Sequence, residues 1–160
     1  MAVTLIVNNV PIDYPEQGEQ QPWGESATNW AVEVTKVLSS LRGPYDIAET
    51  TAIINSLQET EESIQGLFFN SNTVRMFTVT GNIVRTTDLE EKYEQYTLTG
   101  IYRGPTLGWI LQQESIGDDS LVSFSINSSG QIQYTSSELS GNQATYSGLI
   151  TFRAIGIAQT

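Results

Sequence analysis

The chain contains no Cys and no His, so its chemistry starts from a short inventory. Thiol catalysis, histidine base chemistry, disulfides and zinc sites of ordinary type all fall away. A serine nucleophile would need another base, and the two lysines, Lys36 and Lys92, fall on polar faces. Carboxylates remain. Glu59, Glu61 and Glu62 crowd a stretch that reads as an exposed turn, whereas paired-carboxylate catalysis needs two groups facing across a cleft. Asp118-Asp119-Ser120 beside Gly117 offers hard oxygen ligands for calcium but lacks the alternating acids of a calcium loop, so it reads as a plain turn. No glycine-rich phosphate pattern is present, and Gly104-Pro105 does not replace one. The expectation is a non-enzymatic protein without cofactor or metal.

Aromatic side chains offer a different chemistry. Tyr93, Tyr96, Tyr102, Trp109 and Tyr134 are spread over strand ends, and exposed rings with Asn and Gln nearby can stack on and hydrogen-bond to sugars. Alternation assigns at least half of them to the core.

The elements that position these residues are mostly strands. Two alternating runs, Val122, Phe124, Ile126 and Ile132, Tyr134, flank Ser128-Ser129-Gly130 and read as a β-hairpin. A third run, Tyr146, Gly148, Ile150, Phe152, Ala154, alternates in the same way. Phe77, Val79, Gly81 and Ile83 share one face of a strand, with Arg75 and Arg85 expected to cap its ends and Gly81 marking a bulge or a close approach. Thr86 to Glu94 reads as a charged connection, Tyr96 to Tyr102 as a strand, and Leu107, Trp109 and Leu111 as one face of the next. Tyr45 to Leu57 suits either helix or strand.

Nearer the N-terminus, Val3 to Val10 reads as a strand that Pro11 and Pro15 interrupt. Residues 11–25 hold three of the five prolines and Trp23, and read as an exposed loop or an extended arm. Trp23 must be covered, either by its own domain or by a partner. Ser26 is a good helix N-cap and Gly43-Pro44 a good stop. Between them Trp30, Val34, Val37, Leu38 and Leu41 form an apolar stripe, which packs on the chain's own sheet or meets symmetry mates around an oligomer axis. The expected fold class is mainly β: an antiparallel sandwich or jelly roll of about eight strands, with an N-terminal arm and one short amphipathic helix. The expected division is an anchoring segment, 1–44, and a sandwich, 45–160.

The totals agree with that class. The 160 residues are 39% hydrophobic and only 16% charged, the remainder being rich in Ser, Thr, Asn, Gln and Gly. Seven basic against 18 acidic residues give a net charge of −11, which repels nucleic acid and anionic membranes, so neither is an expected partner. No run approaches the length of a membrane span, and the N-terminus does not read as a signal peptide. A chain without a signal can still be exposed outside a cell if it leaves inside a particle.

The string VNNVPIDYPEQGEQQPWGESATNWAVEVTKVL resembles the openings of small tailed-bacteriophage virion proteins. GLFFNSNTVRMFTVTGNIVRTTD, LTGIYRG, VSFSINSSGQIQYTSS and YSGLITFRA are similar to pieces of the β-domains of phage tail-fibre and structural proteins. The resemblance implies a virion surface component, made in the host cytoplasm, with a homotrimer expected. Its plan is similar to a capsid cement or decoration protein bound to the major capsid protein through the arm. The alternative is a short tail or neck fibre, or an adhesin, attached to tail or neck proteins and contacting a host glycan or protein. Tyr14, Trp23, Trp30, Val34 and Leu38 are the candidate partner or oligomer interface.

Overall fold

A computed structural model describes residues 3–7, 10–14, 31–32, 34–36 and 43–159. Two compact units divide the chain, Met1–Gly43 and Pro44–Thr160.

In the first unit, β1 (Val3–Val7) pairs antiparallel with β2 (Val10–Tyr14). The single strand expected from Val3 to Val10 is therefore a two-stranded ribbon, and Pro11 sits inside β2 opposite Ile6. A proline is tolerated there because a ribbon of two strands consists only of edges, where a missing N–H breaks no central ladder. Residues 31–32 and 34–36 are helical, as the stripe predicts, with Val34 half-buried and Ala31, Val32, Thr35 and Lys36 exposed. Residues 15–25 of the expected arm lie outside the described residues.

The second unit is an all-antiparallel sandwich of eight strands: β3 (Ile47–Ile53), β4 (Gln58–Phe68), β5 (Val74–Thr86), β6 (Glu91–Tyr102), β7 (Trp109–Gly117), β8 (Val122–Ile126), β9 (Gln131–Ser136) and β10 (Ser147–Ala158). One sheet has the order β3-β10-β5-β6-β7, the other β4-β9-β8. First pairs with last and second with next-to-last, the nested pattern of a rolled hairpin. Strands β5 to β7 instead form a local meander, so the architecture is a five-on-three sandwich.

Alternation places one buried core between the sheets. Phe77, Val79 and Ile83 of β5, Tyr96 and Leu98 of β6, and Ile150, Phe152 and Ala154 of β10 meet Ile64, Leu67, Val122, Ile132 and Tyr134 of the other sheet. Phe69 stacks on Phe77 at 3.9 Å between ring centroids. Gly100 makes room for that pair, since a Cβ there would stand 2.2 Å from the Phe77 ring. Gly81 is a close approach and not a bulge: the register runs through it unbroken, and a Cβ would meet the Tyr96 hydroxyl at 2.6 Å.

Several expectations are corrected here. Tyr45 to Leu57 resolves as strand β3 followed by a turn. Glu59, Glu61 and Glu62 lie on β4 and not in a turn; β4 is an edge strand whose register on β9 shifts twice, so its polar residues carry no alternating apolar signal. The connection expected over Thr86 to Glu94 shrinks to residues 87–90, because Glu91 onward pairs with β5. Leu107 is exposed and precedes β7.

Arg85 is the largest correction. It faces inward and is fully buried, where an end cap had been expected. Its guanidinium donates to the carbonyls of Ser56 (2.7 Å), Ser137 (2.7 Å) and Ser120, and to the Tyr146 hydroxyl (3.0 Å). One cation thus ties together four chain segments at one end of the sandwich. Every donor–acceptor match in this hub relieves a desolvation cost that a buried charge would otherwise carry. The buried Glu94 closes the same corner by accepting from the Ser120 amide (3.1 Å) and hydroxyl. Leu121 follows with φ of 58°, the left-handed conformation that lets the chain leave this corner.

Candidate functional site: the outer face of the five-stranded sheet

Residues that alternate with the core on β10, β5, β6 and β7 point away from it, and the register aligns them in rows. At one end lie Ile157, Met76, Ile101 and Ile110, each the direct cross-strand partner of the next. Next come Ile155, Thr78, Thr99 and Gln112, then Arg153, Thr80, Thr97 and Glu114. The fourth row adds β3: Thr51, Thr151, Asn82, Gln95 and Ile116. The fifth is apolar again, with Ile53, Leu149, Val84 and Tyr93. A band of hydroxyls and amides is therefore bordered by aliphatic rows at both ends.

The polar band holds a shallow depression of about 270 Å³ lined by Glu49, Thr80, Asn82, Gln95, Thr151 and Arg153. Thr51 and Thr151 share a hydroxyl–hydroxyl hydrogen bond of 3.0 Å across β3 and β10, and Arg153 Nε reaches Thr80 Oγ1 at 3.5 Å. The amide groups of Asn82 and Gln95 are exposed. Each carries two donors and an acceptor, a set suited to vicinal hydroxyls.

Charge adds to this pattern. Arg85 is internal, and the one ion pair among the described residues is Lys92–Glu90 at 3.1 Å. Arg75, Arg103 and Arg153 are exposed and make no ion pair among the described residues. Arg153 stands in the band, and Arg75, which donates to the Tyr102 carbonyl at 2.9 Å, stands beside the aliphatic end.

A second recess, of about 450 Å³, lies between the open edges of β3 and β4 and is lined by Thr50, Thr51, Ile53, Glu62, Gln65 and Tyr134, among others. Glu62 is held there by the Asn55 side-chain amide (2.7 Å) and the Tyr134 hydroxyl (3.1 Å). Burial, and then the Glu62 carboxylate, push the Tyr134 hydroxyl pKa up, so it remains a proton donor and not a base.

The residues singled out from the sequence are dispersed. Tyr14 ends β2, and Val34 is helical and half-buried; Trp23, Trp30 and Leu38 lie outside the described residues. Tyr96 and Tyr134 are core residues, and burial raises the Tyr96 hydroxyl pKa strongly. Tyr102 and Trp109 are half-buried neighbours at 5.2 Å, and Trp109 also meets Phe77 at 5.4 Å. Tyr93 stands at the far end of β6 from Tyr102, about 30 Å away at roughly 3.3 Å per residue. The five rings form no common platform. Asp118 and Asp119 serve as turn caps, accepting from the Tyr93 and Leu121 amides at 3.0 and 2.9 Å. The outer-face rows were missed because they exist only once strand register is known. One signal was present: in β10, Leu149, Ile155 and Ile157 occupy the phase opposite to the core residues.

No protein-family model matches the chain, and no curated protein does. Among solved structures it is similar to the tailspike protein of Acinetobacter phage vB_ApiP_P1. The match has 15% identity and a TM-score of 0.41, and covers 69% of this chain and 21% of the tailspike. A likeness of that size transfers neither a binding site nor a partner.

Proposed function

We propose that the chain is a non-enzymatic component of a phage virion, of the short tail- or neck-fibre or adhesin kind, whose sandwich contacts a saccharide on the host surface. The observation that carries this reading is the outer-face band: exposed Asn82, Gln95 and Arg153 and half-buried Thr80 and Thr151 line a shallow depression, with Thr97 in the adjoining row. Threonine hydroxyls and carboxamides lined up across three strands match the hydroxyl pattern of a sugar ring. The apolar row of Ile53, Leu149, Val84 and Tyr93 on one side would cover its C–H faces. The resemblance of the strand segments to phage fibre domains supports the virion setting.

Capsid decoration is the competing station; of the residues expected to anchor it, Val34 is helical and half-buried, and Trp23, Trp30 and Leu38 lie outside the described residues. Attachment as a homotrimer would suit either station, because several shallow sites on one particle bind by avidity.

A glycan array probed with the labelled full chain tests the reading. Binding to one class of bacterial surface saccharide, reduced at least tenfold by Asn82→Ala with Arg153→Ala, is the expected outcome. No retention on any saccharide, together with label spread over the phage head, would overturn it in favour of decoration.

A further inference from the structure

The polar band leaves one part of the outer face unused: the row Ile157, Met76, Ile101 and Ile110, with Ile155 beside it. These five side chains are 53%, 38%, 42%, 42% and 63% exposed. Direct cross-strand pairing makes the first four contiguous, in a strip roughly 14–15 Å long at about 4.8 Å per strand. Together the five expose on the order of 400 Å² of apolar surface, within the ~300–600 Å² range of patches that tend to be functional.

We infer that this strip is where a second copy of the chain docks, sheet against sheet. Three observations favour a copy over other occupants. The strip carries no donor or acceptor that could orient a saccharide, so it does not continue the polar band. It is formed by direct pairing across four strands, with the β10–β5 register shifting only past Ile157, and an aliphatic sheet face is best filled by another such face packed about 10 Å away. Its charge setting suits self-contact: with a net charge of −11, copies repel one another wherever carboxylates meet. The two rows nearest this end contain no carboxylate of their own, the first in the rows being Glu114 in the third, and the Asp46 carboxylate at their edge is taken up by the Gly156 amide at 3.1 Å. Arg75 adjoins the strip through Met76, and Arg103 follows β6 two residues after Ile101. The strip's roughly 400 Å² is about half of the ~800 Å² per partner of a standard stable interface, and its rim of Thr78, Thr99 and Gln112 adds to it. An anionic bilayer is disfavoured by the same net charge.

The absence of native cysteine gives a clean test in the full chain. Ile101→Cys places a single thiol on the strip, and Ser123→Cys places one at the exposed position of β8, in the other sheet. With a short bismaleimide, intermolecular cross-linking at position 101 should exceed that at position 123 at least tenfold. Adding Ile155→Lys to the Ile101→Cys chain should abolish the excess. Raising salt should increase it, because screening weakens repulsion between acidic copies. Equal yields at the two positions would overturn the inference. So would binding to phosphatidylcholine vesicles without cross-linking at position 101, which would assign the strip to lipid. Assembly through the first unit alone would give oligomers without an excess at position 101, so the readout separates the two.

Discussion

On β5 the inward residues Phe77, Val79, Ile83 and Arg85 are buried, while Met76, Thr78 and Asn82 on the opposite phase are open. The two faces of one sheet are thus held to different standards. The inner face is fixed by packing: two stacked phenylalanines, a glycine that must lack a side chain, and a cation whose donors reach four chain segments. The outer face is under no such demand, yet its residues are not a random polar coat. Aliphatic rows alternate with a hydroxyl-and-amide band, a pattern that the stability of the isolated sandwich does not require.

The sharpest way to break this contrast is at the hub. Arg85→Met removes the donors but keeps much of the volume, leaving the Ser56, Ser120 and Ser137 carbonyls without this partner. At about 1–3 kcal/mol per unsatisfied buried group, the loss should exceed about 3 kcal/mol. Urea unfolding would read it as a large fall in midpoint with an unchanged slope. A smaller inner-face effect is expected for Gly100→Ala, whose methyl must displace the Phe77 ring from its stack on Phe69. Overpacking of this kind costs about 1–3 kcal/mol. By contrast, Thr80→Ala on the outer face of the same sheet should change stability by less than about 0.5 kcal/mol. A loss as large as that of Gly100→Ala would erase the distinction between the faces.

The smallest effect concerns pH. Glu90 accepts from the Ser140 amide at 2.8 Å and pairs with Lys92, and these contacts, the backbone hydrogen bond first, hold its pKa below the ordinary 4.5. A lowered folded-state pKa means that its contribution is present above the unfolded value and is lost as pH falls through the folded one. Glu90→Gln should therefore be slightly less stable than the parent near neutral pH, and the gap should close below about pH 4.5. A gap that stays constant into acid would assign the effect to packing.

Strands with one buried face were legible in the sequence. The hairpin of β8 and β9 and the run from Gly148 to Ala154 announced themselves because one residue phase is apolar and the other is not. The turn between β8 and β9 was equally readable: Gly130 has φ of 100°, and a Cβ there would lie 1.7 Å from the Phe69 carbonyl oxygen. Edge strand β4 was not legible, since its exposed glutamates and shifted register erase the alternation. Arg85 was placed on its strand but not in its role, because its partners come from turns 29, 35 and 52 residues away. The outer-face rows failed for a related reason. Ile157, Met76, Ile101 and Ile110 become neighbours only through pairing across four strands, and no local pattern encodes that.

The central claim is that the outer face works by contact while the inner face only holds the fold. It is tested most directly by measuring unfolding midpoint and host-cell binding side by side for Phe152→Ala and for the Asn82→Ala, Arg153→Ala pair. The account predicts that Phe152→Ala loses about 3–5 kcal/mol of stability. The outer-face pair should keep the parental midpoint and lose at least tenfold in binding. An outer-face pair that binds host cells as well as the parent, with its fold intact, would contradict it.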